Sequence, residues 1–348
     1  MTAMGHPTPR HGRRRSVAAT VTAATVAAVV AVVLAPAAVD GRKTITATGR
    51  FVCAFPDGRI EPIAGSDIRL MNRNAVPAID ERMGTGTTAA DGSFRVTGRG
   101  GDPGIGRGTR PDPYVRLVYR SVGATHDIDV DISRPILRSL IGYRGDKTPT
   151  RRNEKRDVDY GKVTISSLEC QAYVDFRAAM INFKARTGKA TPGGRLPVRT
   201  RALIHGGTPF TLYDAIKLPR KTRVSRGLGM HELAHVVRHV LDGSAIHFGI
   251  DAARFFYTRN HYCELESNEG YAFNEGWAAY WARECMFDTV APLDNYRVEG
   301  NVASALRALQ LRCGSTDGRM VEVLEQSRGK VHSFPDFLNR HKALFGCE

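Results

Sequence analysis

A chain of 348 residues has room for about two domains, and its 42% apolar and 24% charged residues are ordinary for globular protein, which excludes wholesale disorder. The formal charge of +15 would suit acidic substrates, anionic wall polymers or a negative membrane surface. No aromatic-interleaved basic motif accompanies it, so no nucleic-acid partner is expected and the excess reads first as a solvated basic surface.

The chain opens like an export signal over residues 1–38. Arg13, Arg14 and Arg15 form a positive stretch, Ser16 to Val39 carries no charge, and Ala35-Pro36-Ala37-Ala38 offers small residues for cleavage. The apolar stretch is long for a signal peptide and nearly long enough to cross a bilayer, but it is rich in Ala, Val and Thr. A cleaved signal and a secreted or extracellular protein are therefore expected, with a membrane-anchored signal as the alternative. The six cysteines agree with an oxidising compartment, and none is spaced Cys-x-x-Cys, so neither a thiolate metal cluster nor a redox pair is indicated. Sequence alone does not choose among the possible pairings; the expectation is Cys263 with Cys285 and Cys313 with Cys347, leaving Cys53 with Cys170 to tie two domains together.

Residues 44–133 read as an all-β unit. Thr46 to Cys53 and Tyr114 to Tyr119 have strand patterning, and Asp91-Gly92 before Ser93-Phe94-Arg95-Val96 marks a turn into a strand. Gly98 to Gly108 reads as a loop. Gly49-Arg50-Phe51-Val52-Cys53, Ile68-Arg69-Leu70-Met71, the run from Gly86 to Gly98 and Asp112-Pro113-Tyr114-Val115 together resemble the transthyretin-like domain family. The resemblance implies a small extracellular β-sandwich without catalysis of its own. Ser121 stands near the place where that family often has a second cysteine, which leaves Cys53 for another partner.

Residues 134–163, with the basic cluster Arg151 to Arg156, read as a linker. A helix is expected from Ser166, whose Ser-Ser-Leu-Glu run fits a capping box, to Gly188. Thr200 to Ile204 and Thr211 to Leu218 read as strands, the second stopped by Pro219. A helix from Gly229 to Leu241 follows, and the remainder is mostly helical, including Ala303 to Leu311 and Met320 to Gln326. The class is α+β: a sandwich, then a second domain over 164–348 with a small mixed sheet, one central helix and a helical half.

That central helix carries His231-Glu232-Leu233-Ala234-His235. Residues four apart share a helix face, so His231 and His235 can close on one metal ion while Glu232 reaches a water bound to it. Zinc is the expected ion, because it takes imidazole nitrogen readily and keeps an open position when only three protein ligands bind. Two buried imidazoles beside an acid would be costly without a metal. The third ligand is expected at Glu275, in Asn274-Glu275-Gly276-Trp277-Ala278, where small neighbours let a second helix pack closely. Glu269, in the near-repeat Asn268-Glu269-Gly270, is its rival, but six residues along a helix it faces elsewhere. Glu264 and Glu266 are weaker candidates.

This arrangement resembles the gluzincin metallopeptidases, whose His-Glu-x-x-His is followed by a ligand glutamate on a second helix. The resemblance implies His231, His235 and Glu275 as zinc ligands and Glu232 as general base, in a zincin-like domain. Ala279 occupies the place where many members have an aspartate orienting the first histidine, so another group must serve. His239 lies too close to His235 to be the third histidine of a metzincin and reads as surface-exposed or a donor behind the ligands. His205, His247 and His261 default to structure, and Trp277 and Trp281 to core. Tyr257, Tyr271, Tyr280 and His261 are candidate oxyanion donors.

The expected function is an exported zinc metallopeptidase acting on a peptide or protein, with possible cell-surface or membrane-surface association through basic charge. The segment Thr211 to Leu218 is expected to bind substrate along a sheet edge. The rival readings are a non-catalytic extracellular binding protein and a zinc amidase of cell-wall peptides. Oligomeric state is not legible.

Overall fold

Clean alternation marks the strand Ser93–Gly100, one side of which is buried. The computed structural model describes residues 42–73, 80–101, 110–121, 127–132, 145–202, 208–243, 245–254 and 262–348; the expected leader lies outside them. Strands β1 (Lys43–Ala54), β2 (Ile60–Pro62), β3 (Asp67–Asn72), β4 (Glu81–Thr87), β5 (Ser93–Gly100) and β6 (Pro113–Leu117) form the N-terminal part. In β5, Phe94, Val96, Gly98 and Gly100 point inward while Arg95, Thr97 and Arg99 point out. β1 pairs antiparallel with β2 and β5, and β3 pairs antiparallel with β4 and β6. The two small sheets share one core, in which Phe51 stacks on Phe94 with ring centroids 4.9 Å apart.

The expected loop begins later than Gly98, because β5 runs on to Gly100. Its inward glycines exist for close approach. A Cβ at Gly98 would lie 2.5 Å from the Met83 carbonyl carbon of β4, so the two backbones meet where no side chain fits.

The described part of the expected linker, residues 145–163, is built into the fold. Within it, β9 (Val158–Ile165) pairs parallel with β1, from Ala47 beside Val158 to Cys53 beside Ile165. Only the end residues Val158 and Ile165 are buried, which is why its apolar signal is faint. Upstream, Leu117 donates to the Asp146 carbonyl, Thr148 to that of Val115 and Arg151 to that of Pro113, so residues 146–151 run along β6.

The expected division into two domains is also crossed by a sheet. After β7 (Arg120–Ser121) and β8 (Asp127–Ile132) come α1 (Leu168–Thr187), β10 (Arg195–Ala202), β11 (Phe210–Leu212) and β12 (Ala215–Pro219). These strands form one mixed five-stranded sheet in the order β11-β12-β10-β8-β7, with β8, β10 and β12 parallel. Residues Gly41–Glu348 accordingly make one compact unit. The segment Thr211 to Leu218 is a hairpin rather than a single strand: β11 and β12 pair antiparallel around Tyr213 and Asp214, leaving β11 at the sheet edge.

Helices α2 (Arg226–Asp242), α3 (Ala245–Arg254), α4 (Glu269–Ala282), α5 (Glu299–Arg312), α6 (Asp317–Gln326) and α7 (Phe334–Phe345) complete the α+β fold. The cap of α1 lies one residue after the expected one: Ser167 Oγ accepts from Cys170 N, and Glu169 turns inward to Thr200 and Arg201. Small residues bring α2 against α1 and α4 against α5. A Cβ at Gly229 would sit 3.1 Å from the Asp175 carbonyl of α1, and one at Gly276 would sit 2.6 Å from Val302 of α5. Trp277 and Trp281 are core, as expected, and Trp277 Nε1 donates across to the Ala234 carbonyl at 3.2 Å.

All six cysteines are paired: Cys53–Cys170, Cys263–Cys285 and Cys313–Cys347. The first links β1 to α1. Beside it, Arg59 donates twice to the fully buried Asp175, at 2.7 and 2.8 Å. Among the described residues no helix is long and apolar enough to cross a membrane.

Candidate metal centre

The apolar positions Leu233, Ala234, Val236 and Val237 bury α2 between α1, α4 and the sheet, which sets His231 and His235 together on the side facing α4. Ser225 caps the helix by accepting from Leu228 N, and Gly243 ends it in the left-handed conformation, so the motif lies in the rigid middle. Their Nε2 atoms approach to 3.2 Å. From α4, Glu275 Oε2 closes the triangle at 3.5 Å from His231 Nε2 and 3.2 Å from His235 Nε2. Three ligands held about 2.0–2.1 Å from a tetrahedral ion stand about 3.3 Å from one another, so this donor set has the size and chemistry of a cage for a small N/O-binding divalent ion. Glu269 instead opens the first turn of α4, and Glu266 pairs with Arg297 at 3.3 Å, so neither joins the triangle.

The surroundings are short of positive charge. Burial alone would hold the His231 imidazolium down, but Glu275 and Glu284, with the charge of Glu232 behind them, override it and push its pKa well above the ordinary range. A bound cation would supply what that proton supplies in its absence.

Glu284 is the partner the sequence left unassigned. α4 ends at Ala282, Arg283 takes the left-handed conformation with φ 61°, and Glu284 N bonds back to the Ala279 carbonyl at 2.8 Å. This reversal lays the Glu284 carboxylate 3.3 Å from His231 Nδ1, in ion-pair range though off the line of a straight hydrogen bond. The His231 contact, foremost, draws the Glu284 carboxyl below its ordinary pKa. Ala279 therefore needs no acid. The legible signal was only that a glutamate follows the helix end.

On the other ring, Asn274 Nδ2 lies 3.0 Å from His235 Nδ1. When Nε2 faces a metal, Nδ1 carries the proton, and the amide then turns its oxygen toward it. His239 is not on the surface: it is buried and stacks on His235 with centroids 6.1 Å apart. Burial, then the charges of His235 and Arg238, push its pKa down to about 3, so it stays a neutral imidazole.

Glu232 is buried beside the triangle, and Thr211 of β11 donates to its Oε2 at 2.7 Å. Sequence reasoning missed this contact because the two residues belong to different elements. The tyrosines expected to aid an oxyanion divide differently. Tyr271 is buried in α4, and Tyr280 donates to Asp317 at 3.1 Å, with burial foremost raising its pKa far above the ordinary phenol range. Tyr257, His261 and His205 lie outside the described residues. A cavity of about 310 Å³ opens beside the start of α2, walled by Asn182, Arg186, Gly227, Met230, Trp281 and Arg283, with none of the three donors in its wall.

No protein-family profile matches the chain, and no curated protein matches it. Among solved structures, a 9R-lipoxygenase from Cyanothece PCC8801 aligns at TM-score 0.23 and 14% identity, over 41% of this chain and 24% of that one. The major plantain pollen allergen Pla l 1 aligns at TM-score 0.21 and 12% identity, over 36% of this chain and 95% of that one. Likenesses this slight carry no argument about this chain.

Proposed function

We propose that the chain is an exported zinc-dependent peptidase. The observation that carries this reading is the convergence of His231, His235 and Glu275 donors within 3.5 Å, beside a buried acid, Glu232, that belongs to no ligand contact in the triangle. Two imidazoles and one carboxylate are the donor set of zinc with a fourth position left open. When bound, the ion supplies Lewis acidity, acidifying a water and polarising a scissile carbonyl.

Each side chain then has a defined task. His231, His235 and Glu275 hold the ion, Glu284 and Asn274 orient the two rings, and Glu232 takes a proton from the attacking water and passes it to the leaving amine. Thr211 fixes the carboxylate that does so. Because β11 is an edge strand and its middle residue touches Glu232, an extended peptide laid along that edge would run past the acid. Three disulfides favour an oxidising compartment, and the uncharged leader over Ser16 to Val39 supports export.

The deciding experiment measures hydrolysis of a peptide library by the purified mature chain, before and after chelation and with zinc restored. Glu232→Gln keeps the shape and the ligands but loses the base, so zinc content should stay while turnover disappears. Turnover that survives either chelation or this substitution ends the proposal.

A further inference from the structure

A second donor cluster lies at the far end of the same helix. Asp242, the last residue of α2, His247 of α3 and His332 of the α6–α7 connection bring ligand atoms within 4.8 Å of one another. Asp242 is buried, and its Oδ2 lies 2.7 Å from His247 Nδ1. The His247 and His332 rings meet edge-on with centroids 4.3 Å apart.

Three further features suit a cation there. His332 Nε2 lies 3.2 Å from the Gly329 carbonyl, so that nitrogen carries the proton and Nδ1 keeps its lone pair, the arrangement a ligating histidine needs behind it. The His332 loop is itself fixed, its backbone N donating to Asp336 Oδ2 at 3.0 Å. The cluster also sits at the C-terminal, negative end of a 17-residue helix. Two nitrogens and one carboxylate oxygen select a borderline first-row ion over calcium or magnesium.

We propose that Asp242, His247 and His332 bind a second divalent transition-metal ion, of the zinc class. It is a separate mononuclear site. Asp242 follows His235 by two helical turns, about 10 Å along the axis, whereas ions sharing a ligand stand about 3.5–4 Å apart. The His247 side chain is 36% exposed, so the remaining coordination positions face solvent. Its role is structural, joining α3 and the α6–α7 connection to the end of α2. The inference stands apart from the peptidase reading and holds whether or not the first centre turns over peptides.

The test is metal stoichiometry of the full mature chain, stripped and then titrated with Zn(II) alone. Wild type should bind two ions; Asp242→Asn and His332→Gln should each bind one, with normal circular dichroism. His231→Ala with His235→Ala should lose the other ion and keep this one. One ion in wild type, unaffected by Asp242→Asn or His332→Gln, overturns the proposal, as does a second ion that both variants retain. Should those variants unfold, Co(II) added to wild type decides: paramagnetic shifts on the His247 and His332 ring protons support the site, and their absence refutes it.

Discussion

Glu284 lies 3.3 Å from Nδ1 of His231 while Glu275 lies 3.5 Å from Nε2 of the same ring, so one imidazole is held between two carboxylates, one from the middle of α4 and one from just beyond its C-cap. The inner contact belongs to the donor triangle. The outer one sets the ring's orientation and raises its basicity, and removing such a partner typically lowers metal affinity about 10–100-fold. Glu284→Ala should show that loss in a chelator competition, with little change in stability, because its side chain is half exposed.

Gly227→Ala offers an independent check on the same contact. A Cβ there would stand 2.8 Å from Glu284 Oε1, the end of a flexible, half-exposed side chain that must shift to admit it. Alanine also favours the helix by about 0.5–1 kcal/mol. The expected variant therefore binds metal more weakly than wild type yet melts no lower. Unchanged affinity in a chelator competition would show that Glu284 does not orient the ring.

Thr211 and Glu232 make a comparable test for the proposed base. Thr211→Val removes a hydroxyl that donates to Glu232 Oε2 at 2.7 Å and keeps the volume. A hydrogen bond to a charged group contributes about 1.5–3 kcal/mol, so turnover should fall about 10–100-fold while bound zinc stays constant. Loss of metal together with activity would mean that Thr211 supports the cage rather than the base.

The centre was legible where one helix carried it. His231 and His235 announce themselves through a four-residue spacing on an apolar helix, and Glu275 through small neighbours that allow close packing. Glu284 and Thr211 were hidden because each reaches the site by chain reversal or by pairing across elements. The left-handed turn at Arg283 places Glu284, and a hairpin at Tyr213 and Asp214 makes Thr211 an edge residue rather than part of a continuous strand. The same limit applies to the fold. β8 alternates as Asp127-Ile128-Asp129-Val130-Asp131-Ile132, but its pairing with β10, Ile128 beside Leu196, is a long-range choice that periodicity does not carry, and β9 buries only its two ends.

Asp317 gives a pH-dependent expectation. It accepts from Arg186 Nε at 2.7 Å, Gln310 at 2.6 Å and Tyr280 at 3.1 Å, joining α1, α4, α5 and α6. Burial works against its charge, but the Arg186 contact and the two neutral donors override it and hold the carboxyl below its ordinary range. A group with a lowered folded pKa binds its proton more readily in the unfolded chain. Its stabilisation is therefore present above the unfolded value near about 4 and drains away as pH falls through the folded one. Asp317→Asn should melt lower than wild type at neutral pH, and the gap should close as the solution is acidified below about pH 4. A gap independent of pH would assign the loss to packing.

Arg59 and Asp175 carry the last expectation, which concerns how the halves cohere. Asp175 is fully buried in α1, and Arg59 reaches it from the turn between β1 and β2 while lying 3.7 Å over the Phe55 ring. Its hydrogen bonds to Asp175, foremost, raise the Arg59 pKa further, so the guanidinium keeps its charge. Arg59→Ala would leave the carboxylate with Arg226 Nε, at 3.9 Å, as the nearest remaining cation among the described residues. Removing one partner of a buried pair costs about 3–5 kcal/mol, so Arg59→Ala should lose about 3 kcal/mol in a denaturant melt. Adding Asp175→Asn to that variant should recover part of the loss, because the stranded charge is then gone. With β8 and β10 in one sheet, Cys53–Cys170 and this pair all bridging the expected boundary, wild type should unfold in one transition seen alike by fluorescence and far-ultraviolet dichroism. Two separated transitions would instead mean that the sandwich and the helical half melt as independent units despite these bridges.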